Sequence, residues 1–211
     1  MSSAAAAAIA NELKLNIGCG TSGIAGWCNI DNSPTVLLSR IPLGRRLFRT
    51  PAWPRDVRRI DAIRGLPFAD SSVTYIYSSH LLQGLIYEDS LFLIKESFRV
   101  LRPDGVLRIA VPDLERVIKD YLADRDVLAS HKLMRRLSLK GSAIRDLLRQ
   151  GRGYQQRYRQ MFDGRSLTHL FTAGGFKNPE VRGFKQSRIP EIDAIEVEQR
   201  KNESLYVEAS K

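Results

Sequence analysis

Short apolar runs alternate with stretches of helical periodicity along this chain. Leu13–Gly18, Trp27–Asp31, Val73–Ser78 and Val106–Val111 are brief, rich in branched and aromatic residues, and bounded by Gly, Ser or Pro. That is the pattern of strands buried on both faces. Glu88–Leu101 sets Leu91, Ile94, Phe98 and Leu101 at helical spacing, with acids at its start and Arg99 and Arg102 at its end, matching the helix dipole. Pro103-Asp104-Gly105 then reads as a turn. Residues 114–150 read as helical and basic, and Ser166–Ala173 as a short helix closed by Gly174-Gly175. Two strands are predicted near Asn178–Phe184 and Ser204–Ala209. Ala4–Leu13 reads as a helical lead-in, and 36–60 as a loop-rich insertion punctuated by Pro42, Pro51 and Pro54. The alternation predicts an α/β fold, a mostly parallel sheet covered by helices on both faces.

The 211 residues, 43% of them hydrophobic, suit a single domain, 1–211, with basic insertions at 36–60 and 114–165. No apolar run approaches the roughly 20 residues of a membrane-spanning helix. The start, MSSAAAAAIANELK, has no basic n-region, so a cytoplasmic protein is expected. Cys19 and Cys28 give neither a disulfide framework nor metal-ligand spacing, so no metal is expected.

Charge changes the picture more. The net +10 is concentrated: 36–60 holds seven arginines against Asp56, and 132–165 holds ten Lys/Arg against Asp146 and Asp163. The remainder is slightly acidic. Two basic segments on such a body point to an anionic partner, whether phosphate, nucleic acid or lipid. Solvated arginine-rich faces are the plain alternative.

The glycine loop carries the candidate chemistry. Gly18-Cys19-Gly20-Thr21-Ser22-Gly23 fits G-x-G-x-x-G and follows the first strand, where a parallel sheet binds its ligand. A nicotinamide site places its ribose-binding acid about 20 residues beyond that motif. Here Asp31 follows Gly23 by eight residues, so the crossover is too short for a full helix.

LNIGCG, WCNID, GLPFADSSVTYIYSSHLL, FRVLRPDGVLRIAVPDLE, FTAGGF and ESLYVEASK, in that order, resemble the class I S-adenosylmethionine-dependent methyltransferases. The resemblance is nearest to a group with a shortened first crossover, often found among polysaccharide and glycosyltransferase functions. It implies a three-layer Rossmann-like fold with seven strands, the last antiparallel. It also implies donor-site roles. Gly18, Cys19 and Gly20 would pass beneath the methionine and ribose, and Asp31 would bind both ribose hydroxyls. Asp61 and Ala62 would lie near the adenine, and Ser78, Ser79 and His80 beside the sulfonium. Asn16 stands where similar proteins carry an acid that contacts the donor's amino group. Gln83-Gly84 replaces a common Glu-His pair, and Tyr158 a common histidine.

A methyltransferase acting on a hydroxyl benefits from a general base. His80 is the first candidate and Asp113, after the fifth strand, the second. Arg45, Arg46, Arg49 and Tyr154 are expected to contact an anionic acceptor. The arginines stand among Leu, Phe and Trp, which also suits an anionic membrane surface on the inner, cytoplasmic side. The leading expectation is O-methylation of a saccharide or a phosphorylated or lipid-linked glycan. RNA or another small molecule is a second acceptor class, and a binding subunit that has lost turnover is a third reading.

Overall fold

The computed structural model describes residues 12–41, 52–141, 154–157 and 159–211. β1 (Lys14–Ile17) is followed by a loop without helix, then β2 (Cys28–Asp31) and a single helical turn, α1 (Thr35–Leu38). β3 (Arg58–Arg59) precedes β4 (Val73–Ser79), α2 (Tyr87–Val100) and β5 (Leu101–Pro112). Next come α3 (Leu114–Ala123), α4 (Ala129–Arg136), β6 (Ser138–Gly141) and β7 (Tyr154–Arg157). α5 (Gly164–Ala173), β8 (Glu180–Arg182), α6 (Ile192–Ile195) and β9 (Ser204–Ser210) complete the chain.

Seven strands form one sheet in the order β3-β2-β1-β4-β5-β9-β8. β3, β2, β1, β4 and β5 run parallel, and β9 is antiparallel to both β5 and β8. This is the Rossmann-like arrangement with an antiparallel last strand. β6 and β7 form a separate antiparallel pair.

The two faces of the sheet differ in chemistry. Partners in register share a face. Leu15, Ile17, Ile30, Ile76, Leu107, Ile109 and Val207 make one face apolar and pack with Leu93 and Ile94 of α2 and Leu167, Leu170 and Phe171 of α5. The opposite face carries Asn16, Asn29, Tyr77, Arg108 and Glu208. No helix lies between β1 and β2 to cover it. Ile189, Ile192 and Ile195, from the other end of the chain, pack there against Trp27, Tyr77 and Val106.

A polar network fastens that cover. Arg108, fully buried, donates from Nε to Glu196 (2.7 Å) and from Nη1 to Glu208 (3.4 Å). It also donates to the carbonyls of Gln186 and Gly183. Lys185 N–H donates to Glu196, and Arg188 N–H to Glu208. Every charge is thus paired and hydrogen-bonded, the condition for keeping ions out of water.

Several sequence expectations change. Pro103-Asp104-Gly105 does not end a strand. It lies inside β5 at a register shift, with Asp104 at φ +63°, because the chain bulges there and re-pairs with β4 at Val106. Within its described residues, 114–141, the basic stretch is two short helices and a strand. The expected lead-in Ala4–Leu13 falls mostly outside the described residues. Within 36–60 the structure adds β3, the strand that sequence reading lacked.

Candidate functional site

The carboxyl ends of β1, β2 and β4 open onto one cleft. Gly18 and Gly20 take φ of +68° and +54°, a left-handed backbone that favours glycine. Gly18 N–H and Cys19 N–H both donate to the Ile30 carbonyl, at 2.9 and 3.1 Å, which draws the loop onto the end of β2. Asp31 closes the arrangement: Oδ2 accepts from Gly20 N–H (3.0 Å) and Oδ1 from Ser33 N–H (2.7 Å). Each carboxylate oxygen keeps a further lone pair.

A cavity of about 170 Å³ lies beside Asp31, lined by Gly18, Ile30, Asn32, Ile60, Asp61, Ala62, Ile63, Leu81 and Leu85. Asp61 precedes the tight turn Ala62–Arg64, makes no side-chain cap, and pairs with Arg64 at 3.2 Å. Arg99 fixes the following segment by donating to the carbonyls of Leu66 and Phe68 and to Asp70 and Glu96. That hydrogen bond from Arg99 holds the Glu96 carboxyl below its usual range.

The structure therefore brings together Gly18, Asp31, Asp61 and Ala62, with Cys19 and Gly20 in the same loop. Cys19 is buried, and desolvation, reinforced by Asp31, pushes its thiol up to about 12. It packs as an unreactive apolar group. Asn16 stands behind the loop. Its Nδ2 donates to Asn29 Oδ1 (2.9 Å) and more weakly to the Ser22 carbonyl (3.4 Å). Asn29 in turn accepts Ile24 N–H and donates to Asp56. This buried amide pair shapes the loop from beneath and does not line the cavity.

Ser78 is buried on the apolar face, and its Oγ has no hydrogen-bond partner. Ser79 lies on the other face, partly buried. His80 sits at φ +56° just past β4, a strained position for a ring-bearing residue. Both its ring nitrogens are engaged: Arg200 Nη1 donates to Nδ1 (2.7 Å), and Nε2 meets Ser204 Oγ at 2.8 Å. Arginine can only donate, so the ring proton is on Nε2. Burial, and then Arg200, lower the His80 pKa to about 3. In this geometry the one lone pair of the neutral His80 ring holds Arg200.

Asp113 is the N-cap of α3, with Oδ1 accepting Arg116 N–H at 3.3 Å. Among the described residues only that oxygen is engaged. Gln83 is fully buried, and its Nε2 donates to the His80 carbonyl (2.7 Å) while Oε1 lacks a partner. Arg200 is the residue that sequence reading missed. Its side chain is 42% exposed, with the guanidinium held by His80 and Glu203. Arg45, Arg46, Arg49 and Tyr158 lie outside the described residues, and Tyr154 is placed only as part of β7.

The site's chemistry fits S-adenosylmethionine. A carboxylate with spare lone pairs suits the two vicinal ribose hydroxyls. The cavity beside it, walled by Ile30, Ile60 and Ile63, suits a flat base. A Cβ at Gly20 would meet no atom within 4 Å, so the loop leaves space for a ligand to pass. Among the described residues, no group of three or more His, Cys, Asp or Glu could hold a metal ion.

Residues 15–109 match the model of a methyltransferase domain family. No curated protein matches the chain. Similar solved structures include a SAM-dependent methyltransferase from Methanosarcina mazei, 20% identical with a TM-score of 0.54, covering 100% of this chain and 98% of that one. One from Archaeoglobus fulgidus is 14% identical (TM-score 0.54, 98% and 90% covered). One from Mesorhizobium loti is 18% identical (TM-score 0.50, 95% and 91% covered). At these identities the structures show a shared fold.

Proposed function

We propose that this chain is a class I S-adenosylmethionine-dependent methyltransferase that methylates a hydroxyl of a saccharide or of a phosphorylated or lipid-linked glycan, a reading supported by the family match over residues 15–109 and by the shared fold. The observation that carries the reading is Asp31, poised at the end of β2 between Gly20 and the cavity. When bound, the cofactor supplies a methyl group on a sulfonium, whose leaving group needs no protonation. The chain's own tasks are to hold the acceptor hydroxyl in line, exclude water and take its proton.

Asp113 is the base in this reading, and His80 is a positioning residue. The neutral His80 ring orients Arg200, a part-exposed side chain whose remaining donors would fork onto a carboxylate or phosphate of the acceptor. The arginine segment with Arg45, Arg46 and Arg49, together with Tyr154, supplies further acceptor contacts. The protein works in the cytoplasm, against the inner membrane face when its acceptor is lipid-borne.

Calorimetric titration with S-adenosylmethionine tests the donor half of this reading. Transfer of labelled methyl to phosphorylated and lipid-linked saccharides, with RNA run in parallel, tests the acceptor half. Donor binding with label in RNA alone would replace the glycan by RNA, the reading that the basic segments also favour. Absence of donor binding would leave a binding subunit.

A further inference from the structure

A closed circuit of hydrogen bonds runs around the carboxyl ends of β4 and β5 and the start of β9. Asp113 N–H donates to the Glu203 carbonyl (3.0 Å), and Arg200 Nη1 donates to the Glu203 carboxylate (2.7 Å). Arg200 also holds the His80 ring, and the His80 carbonyl accepts from Gln83 Nε2 (2.7 Å). The Gln83 carbonyl in turn accepts Arg159 N–H (2.8 Å). From there the strap 159–162 leads back to the start: Phe162 bridges Asp113, and its carbonyl accepts Leu114 N–H (3.0 Å). Gln160 clasps the strap, its Nε2 donating to the Leu82 carbonyl and to Ser90 Oγ of α2.

Asp113 and Arg200 are thus two stations on one ring, and Gln83 joins its two arms. The side chain of Gln83 holds His80, and its main chain holds the strap. Gln83 is fully buried, so water does not compete for either bond. A carboxylate in its place could only accept, and could not donate to the His80 carbonyl. His80 needs such a hold, because its φ of +56° persists only where neighbours over-determine the backbone.

We propose that Gln83 is the positioning residue of the acceptor site: through His80 it fixes Arg200 relative to Asp113, and so sets where an anionic acceptor presents its hydroxyl. The inference rests on the roles given to Asp113 and Arg200 above. Gln83 itself is buried and acts only through His80.

Gln83→Met keeps the side-chain length and removes the donor. At pH 7, nitrogen-15 shifts should show the wild-type His80 ring as the Nε2–H tautomer alone, and a mixture of tautomers in the variant. Binding of inorganic phosphate, followed at the Arg200 Nε–H resonance, should weaken about two- to tenfold, the effect of one lost orienting hydrogen bond. The strap hangs on the main chain of residue 83, so exchange at Leu114 N–H should stay slow in this variant, whereas general loosening would speed it. Gln160→Met should do the reverse, with faster exchange at Leu114 and an unchanged His80 tautomer. A single tautomer, an unchanged phosphate affinity or fast Leu114 exchange in Gln83→Met would each overturn the proposal. If Gln83→Met does not fold, the wild-type protein decides: the Gln83 side-chain amide should exchange about tenfold or more slowly than an exposed one, and equal rates would overturn the proposal. Wild-type protein that binds S-adenosylmethionine but takes no phosphate at Arg200 would sink the acceptor reading itself, an outcome distinct from phosphate binding that Gln83→Met leaves intact.

Discussion

Arg200 and His80, 120 residues apart, share a hydrogen bond of 2.7 Å from Nη1 to Nδ1, and it fixes which nitrogen of the ring carries the proton. The same ring reaches Ser204 at the start of β9. A residue at the end of one strand thereby locks the return of the chain into the sheet.

His80 should remain neutral across the physiological range. Its folded pKa of about 3 lies below the ordinary imidazole value of 6.5, so between these the unfolded chain takes up a proton that the folded chain refuses. Stability from this site is complete above about pH 6.5 and is lost as pH falls towards 3. Nitrogen-15 shifts of the imidazole should show an unprotonated ring at pH 5. A ring titrating near 6.5 would contradict the engaged geometry.

Asp113→Asn separates capping from catalysis. Asparagine caps a helix as well as aspartate does, so thermal stability should barely move. It cannot take a proton at neutral pH, so turnover should fall about 10²–10⁴-fold. Unchanged turnover would leave orientation alone to account for the rate.

Asp31→Ala should cost about 2–4 kcal/mol of donor affinity through the loss of two charge-assisted hydrogen bonds. Calorimetry on the folded variant reads this directly. Because Asp31 also accepts Gly20 N–H, the loop itself should loosen, visible as faster amide exchange at Gly20.

Two glycine replacements should differ in kind. At Gly174, in ordinary helical backbone, a Cβ would sit 2.3 Å from Ile94 Cγ2, so Gly174→Ala should destabilise by about 1–3 kcal/mol through overpacking. At Gly20 no atom lies within 4 Å, but φ is +54°, so Gly20→Ala costs about 1–2 kcal/mol of backbone strain and places a methyl in the donor's path. Thermal melts should rank Gly174→Ala at or below Gly20→Ala, whereas donor titration should single out Gly20→Ala.

Arg108→Leu should be among the most damaging substitutions on the sheet. It leaves Glu196 and Glu208 buried without their cation, a loss of about 3–5 kcal/mol. Denaturant unfolding measures it. A loss below 1 kcal/mol would mean that the carboxylates find water or another partner.

The strands that bury apolar side chains were legible from sequence, since β1, β4, β5 and β9 read as short runs rich in Leu, Ile, Val and Tyr, and β2 shows through Trp27 and Ile30. β3 was not, because Arg58 and Arg59 are both exposed and only their pairing with Ile30 and Asp31 makes them a strand. β6 was taken for helix for a similar reason, as Ser138–Gly141 has no apolar alternation to mark it. In the site, the glycine loop and Asp31 announced themselves through spacing and backbone demand. The state of His80 could not, because it depends on Arg200 and Ser204, which only folding brings to it.

The cover over the polar face of the sheet carries a consequence for how this protein is made. Trp27, Tyr77 and Val106 gain the apolar cover of Ile189, Ile192 and Ile195 only when those residues have left the ribosome. Arg108 likewise waits for Glu196 and Glu208. The polar face of the nascent amino-terminal strands therefore stays bare until nearly the whole chain has been translated. Such distant closures slow folding and prolong the exposure of sticky intermediates. Production of this protein should accordingly improve when synthesis is slowed or holding chaperones are abundant, and a truncation before residue 189 should strand the sheet half-clothed.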